Sequence, residues 1–154
     1  MSLIVAAPLA GTVLAAADVP DPVFAGGMLG PGLAVDPDRA GGGQVIALAP
    51  VSGTIAKLHP HAFIVTGVGG RDVLVHLGLD TVELGGAGFA LHAAEGDRVT
   101  AGDPVVTWCP AAVEAGGRSP IVPVIGLQAK PSQLTPSAVG ARVAAGAPLF
   151  TWDD

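Results

Sequence analysis

The chain repeats itself. Residues 96–108, GDRVTAGDPVVTW, return at 140–152 as GARVAAGAPLFTW, identical at eight of thirteen positions. A second echo pairs Ala7-Pro8-Leu9-Ala10-Gly11-Thr12-Val13 with Ala49-Pro50-Val51-Ser52-Gly53-Thr54-Ile55. The offsets, 44 and 42 residues, are close, which points to two similar β units. Two copies read as a duplicated sandwich half and not as a solenoid. Each later unit is a Gly turn, a short Arg-Val piece, an Ala-Gly turn and a strand. With 23 Gly and 14 Pro among 154 residues, long helices are disfavoured and short strands joined by turns are favoured. Strands are predicted at Leu3–Ala6, Gly11–Ala15, Leu33–Pro37, Gln44–Ala47, Gly53–Leu58, Ala62–Thr66, Val73–Leu77, Pro104–Trp108, Ile121–Ile125 and Pro148–Trp152. One helical turn is predicted at Ala111–Ala115, after Pro110. The expected fold is all-β, an antiparallel sandwich or flattened barrel with an internal pseudo-repeat and little helix, forming one domain over residues 1–154.

Charge narrows the function. The net charge is −6 and the seven basic residues are scattered, so no basic stripe is available to follow a nucleic-acid backbone. The one cysteine, Cys109, leaves no internal disulfide and fits a reducing compartment. The opening MSLIVAAPLAGTVLAAADVP has no basic start, and Pro8 and Gly11 interrupt its apolar run, so it reads as a first strand and not as a signal peptide. No unbroken apolar stretch is long enough to span a bilayer. A cytoplasmic monomer without membrane insertion is the expectation.

Three of the four histidines lie in one apolar stretch, HPHAFIVTGVGGRDVLVHLGLDTV. Gly69 and Gly70 read as the two loop residues of a tight hairpin turn. That register sets Thr66 opposite Val73, Ile64 opposite Val75 and Phe63 opposite His76. His61, Phe63, Leu74 and His76 then share one face, and His61 and His76 become diagonal neighbours. A one-residue slip undoes that sharing. A neutral imidazole carries one donor and one bare nitrogen, and the bare nitrogen is a nucleophile near neutral pH. At this level three readings stand: ordinary packing, a metal pair, or a nucleophile with a helper.

Further residues bring a resemblance into view. Val73-Leu74-Val75-His76-Leu77-Gly78-Leu79-Asp80-Thr81-Val82-Glu83-Leu84 resembles the phosphohistidine motif of the glucose-type EIIA proteins of the bacterial phosphoenolpyruvate-dependent sugar phosphotransferase system. His61-Ala62-Phe63 resembles that family's second histidine motif. Asp18-Val19-Pro20-Asp21-Pro22-Val23-Phe24-Ala25, Ala49–Ile55 and Gly96-Asp97-Arg98-Val99 are similar to further family segments, in the family's order. The resemblance implies a β-sandwich carrying a phosphoryl group on His76, taken from the carrier HPr and passed to a cysteine of an EIIB domain. It implies that His61 stabilises the phosphorylated state and that Asp80 fixes the local loop. Val23, Phe24, Phe63, Leu74 and Leu77 become an apolar apron where partners dock. No cofactor is required, although His61 and His76 can hold zinc incidentally.

The chain departs from the family at His59. Many members carry Thr two residues before the helper histidine; here His59 either joins the network or sits exposed. With the first strand predicted almost at Met1, the N-terminal extension of some free-standing members, and with it a membrane-attaching helix, is not expected. A rival reading is a zinc hydrolase using His59, His61, His76 and Asp80, because His-x-His and His-x-x-x-Asp are ligand spacings. The LytM-type peptidases use such pairs in the reverse chain order. Lipoyl-type carriers have turns similar to the GDRVTAGDP segment, but they need a lysine at a hairpin tip, and neither Lys57 nor Lys130 sits in that setting.

Overall fold

The computed structural model describes residues 2–154. Fourteen strands carry the fold. In chain order they are β1 (Leu3–Ala6), β2 (Gly11–Ala15), β3 (Gly32–Pro37), β4 (Val45–Leu48), β5 (Gly53–His59), β6 (Ala62–Thr66) and β7 (Asp72–His76). The second half adds β8 (Ala90–Leu91), β9 (Arg98–Val99), β10 (Pro104–Trp108), β11 (Val122–Gly126), β12 (Leu134–Pro136), β13 (Arg142–Val143) and β14 (Pro148–Trp152). Two short helices complete it, α1 (Pro22–Ala25) and α2 (Pro110–Ala115). The all-β expectation holds, and each of the ten predicted strands is present within one residue at either end. The two-residue strands escape prediction because they are too short for a period to register.

All the strand pairs are antiparallel. The large sheet runs β13-β2-β3-β11-β7-β6-β5-β9. Two three-stranded sheets, β1-β14-β12 and β4-β10-β8, complete the sandwich. The sequence echo maps onto this order. One copy pairs β2 with the Arg142-Val143 piece, and the other pairs β5 with the Arg98-Val99 piece, at opposite ends of the large sheet. The Trp-ended strands β10 and β14 take equivalent central places in the small sheets.

Period-2 alternation gives the large sheet two apolar faces. Val13, Leu33, Val35, Phe63, Val65, Val73, Val75, Val122 and Val124 face inward, against Trp108, Leu149, Phe150 and Trp152 of the small sheets. Ala34, Ala62, Leu74 and Ile125, the residues between them, join Val19, Phe24 and Leu79 in a second cluster on the outer face. That second cluster underlies the histidines.

The echoed glycines have a steric cause. A Cβ on Gly11 would lie 2.1 Å from the Asp36 carbonyl oxygen, and one on Gly53 would lie 1.9 Å from that of Thr66. Only hydrogen fits at either crossing. Gly53→Ala is therefore expected to lower stability by roughly 1–3 kcal/mol or more. Gly43→Ala, where nothing lies within 4 Å and φ is −85°, is the control. Equal denaturation midpoints for the two variants would contradict this account.

Candidate active site

His76 ends β7 and points outward, because Leu74 and His76 lie on the outer face while Val73 and Val75 face the core. Its cross-strand partner is Ala62. The predicted register was off by one: Phe63 pairs with Val75 and Ile64 with Leu74. The turn is longer than a two-residue loop. Gly69 and Gly70 both have φ +72°, but the Gly67 N–H donates to the Arg71 carbonyl at 2.8 Å, which closes the hairpin one residue earlier. The slip moves Phe63 to the other face, as strand period requires. Phe63 and Leu77 are 1% and 0% exposed in the inner core, so neither belongs to a docking apron. Phe24 and Leu74 lie in the outer cluster, buried, and Val23 is exposed.

His61 still reaches His76, by another route. Pro60 and His61 form the turn between β5 and β6, where His59 pairs with Ala62. The Leu77 N–H donates to the His61 carbonyl at 2.7 Å, anchoring that turn beside β7. Outside the strand, the His61 side chain is released from alternation. Its ring stands edge-on to His76, centroids 5.3 Å apart. His59 is exposed, and its ring stacks on His61 at 5.7 Å and 22°. Of the two sequence alternatives for His59, the structure shows the exposed one, with the ring contact to His61 beside it. His92 lies elsewhere, its Nε2 at 2.5 Å from the Thr107 hydroxyl.

The Asp-Val-Pro-Asp-Pro segment supplies the other wall. The Asp21 carboxylate accepts from the Val23 N–H at 2.9 Å, and Pro22 occupies the first helical position. This is an N-cap followed by a residue preset for helix, and it builds α1 in four residues. The helix sets Phe24 edge-on against His76, centroids 5.3 Å apart. The Asp21-Pro22 pair is the sequence signal for this cap.

A backbone group decides the chemistry. The Nδ1–H of His76 donates to the Gly78 carbonyl at 2.5 Å. That bond places the proton on Nδ1 and leaves Nε2 bare. Burial lowers the pKa of His76, while the Gly78 carbonyl and the carboxylates of Asp21 and Asp80 pull it back up. Burial also lowers that of His61, helped by repulsion from His76 and His59. Both rings are thereby kept neutral further into the acid range than a free imidazole. Asp80 precedes a 3-10 turn, Thr81–Leu84, in the left-handed conformation at φ +59°.

The zinc-hydrolase cluster does not assemble. Among the described residues, no group of three or more His, Cys, Asp or Glu is placed to hold a metal ion. No helix among them is long and apolar enough to cross a membrane.

Comparison with known proteins gives the same direction. Residues 3–131 match the family model for EIIA 1 of the phosphoenolpyruvate-dependent sugar phosphotransferase system. The chain belongs to that family. It is a phosphotransferase component, a carrier of phosphoryl groups. It is 42% identical over 121 residues to the glucose-specific EIIA component of Halalkalibacterium halodurans, covering 77% of this chain and 67% of the relative. It is 34% identical over 144 residues to that of Bacillus cereus, covering 92% and 84%. The solved glucose permease IIA of Mycoplasma capricolum superposes with a TM-score of 0.88 at 33% identity, covering 98% and 96%. Against the glucose-specific EIIBCA component of Corynebacterium glutamicum, identity is 38% over 121 residues, and the match spans 79% of this chain and 18% of that protein.

The lowered pKa has a measurable consequence. In an NMR titration the His76 ring is expected to protonate at a midpoint below 6.5, the ordinary value. Above pH 6.5 the ring is neutral whether folded or unfolded, and its contribution is complete. As pH falls below 6.5 the unfolded chain takes up the proton first, so stability declines until the folded midpoint is reached. A midpoint above 6.5 would contradict the desolvated setting.

Proposed function

We propose that Nε2 of His76 accepts a phosphoryl group from phospho-HPr and passes it to a cysteine of an EIIB domain. The observation that carries this reading is the hydrogen bond from His76 Nδ1–H to the Gly78 carbonyl, which leaves the outward nitrogen unprotonated. In the first step the donor's N–P bond breaks as a bond from Nε2 to phosphorus forms. The donor imidazole leaves with its electron pair, and the Nδ1 proton stays on His76, donated to the Gly78 carbonyl. In the second step that N–P bond breaks and an S–P bond forms on the acceptor thiolate. Such transfer needs alignment and neutralisation of the moving anion more than covalent help from the protein. His61 is the neutralising group, donating a ring N–H to the phosphoryl oxygens from the adjacent turn. No metal is needed for either step; zinc held by His61 and His76 would be incidental.

Relatives named EIIBCA and EIICBA, in Corynebacterium glutamicum and Streptococcus pneumoniae, carry an EIIA part together with EIIB and EIIC parts, which supports an EIIB acceptor. Exposed Val23 beside the site, with the buried Phe24 and Leu74 behind it, offers a small apolar contact for brief docking. Asp80 acts on the loop that follows His76, from its left-handed position. The cytoplasm is the compartment that suits this role.

The test is intact mass after incubation with phosphoenolpyruvate, enzyme I and HPr. Wild type is expected to gain one acid-labile phosphoryl group, His76→Ala none. His61→Gln is expected to accept the group and to pass it to EIIB at least tenfold more slowly, the scale of a lost positioned donor. An unmodified wild type, or a modified His76→Ala, would overturn the assignment.

A further inference from the structure

Thr81 is the one polar residue that the fold buries among the described residues, at 1% exposure. Its hydroxyl donates to the Leu77 carbonyl at 2.7 Å, closing the loop that runs from Leu77 to Thr81. Inside that loop, Gly78 sits at φ +80° and Asp80 at +59°. The Leu79 N–H donates to the Ser119 carbonyl at 2.9 Å. A Cβ on Gly78 would lie 2.7 Å from Thr81 Cγ2 and 3.0 Å from the Ser119 oxygen. The threonine therefore holds the loop twice: its hydroxyl ties down the Leu77 carbonyl, and its methyl packs against Gly78. The Gly78 peptide lies between these anchors, and its carbonyl is the acceptor for His76 Nδ1–H.

We infer that Thr81 is a positioning residue that sets the tautomer of His76 through the Leu77–Gly78 backbone. A threonine hydroxyl satisfied wholly by a local carbonyl does nothing for solvent or for a partner. Its burial is explained if what it fixes is the direction of the next peptide. A hydrogen bond weakens steeply with angle, so a small rotation of that peptide would release the Nδ1 proton. The proton could then reside on Nε2, the nitrogen that must be bare to attack. The kinetic consequence rests on His76 being the phosphoryl acceptor; the tautomer consequence does not.

The experiment is nitrogen-correlated NMR of the histidine rings at a pH above the His76 midpoint, in wild type, Thr81→Ser, Thr81→Val and Thr81→Ala. Phosphoryl uptake from phospho-HPr is measured alongside. Wild type is expected to show one His76 tautomer, protonated on Nδ1. Thr81→Ser keeps the hydroxyl and is expected to hold that tautomer. Thr81→Val keeps the volume and loses the donor, and is expected to give a mixed ring with uptake slowed about 10- to 100-fold, the cost of a misplaced reacting group. Should Val fail to fold, Ala takes its place with the same expectation. A Thr81→Val or Thr81→Ala ring that stays wholly Nδ1-protonated overturns the inference, even if uptake slows, because the effect is then merely structural. A wild-type ring already mixed overturns it whatever the variants do. The expected tautomer pattern in a wild type that takes no phosphoryl group supports Thr81 as positioner and defeats the acceptor reading alone.

Discussion

One hydrogen bond organises the site: His76 Nδ1–H to the Gly78 carbonyl. It holds a neutral imidazole in one tautomer and leaves a bare nitrogen with a defined direction. Everything nearby maintains it. Strand β7 delivers His76 to the outer face, the loop beyond it turns the Gly78 carbonyl back, and Phe24 closes the side of the ring. The surround is apolar, so the ring stays neutral and the bare nitrogen stays available over a wide pH range.

That arrangement needs a sheet with two apolar faces. The inner face holds the sandwich together with Val, Phe and Trp side chains. The outer face carries a smaller cluster under α1, which raises the histidines on an apolar floor instead of leaving them in bulk water. In the proposed transfer, desolvation would serve both tasks of His61. It keeps the ring neutral before transfer, and it strengthens the ring's attraction for an anion once phosphorus arrives. His59, stacked on the exposed side, adds a third imidazole to the row.

The sheet pattern was legible because its causes are local. β-branched runs between glycines mark the strands, and the echoed Gly11 and Gly53 mark crossings where a neighbouring carbonyl leaves room for hydrogen alone. The pairing of His61 with His76 was also legible, though for the wrong reason: the turn at Pro60–His61, not strand alternation, brings the rings together. Phe63 was misplaced because Gly69-Gly70 looks like a complete two-residue loop, while the chain closes the turn over Gly67–Arg71. Leu77 was misplaced because an apolar residue beside a functional histidine reads the same whether it faces in or out. The Gly78 carbonyl has no side-chain signature at all. Only the left-handed requirement of a glycine two residues after a histidine hinted at a backbone acceptor.

The most direct measurement of the central claim is the position of the phosphoryl group within the His76 ring, by phosphorus–nitrogen coupling in the phosphorylated protein. The account predicts phosphorus bonded to Nε2 of His76, with Nδ1 still protonated and bonded to Gly78. Phosphorus on Nδ1, or on His61, would contradict it.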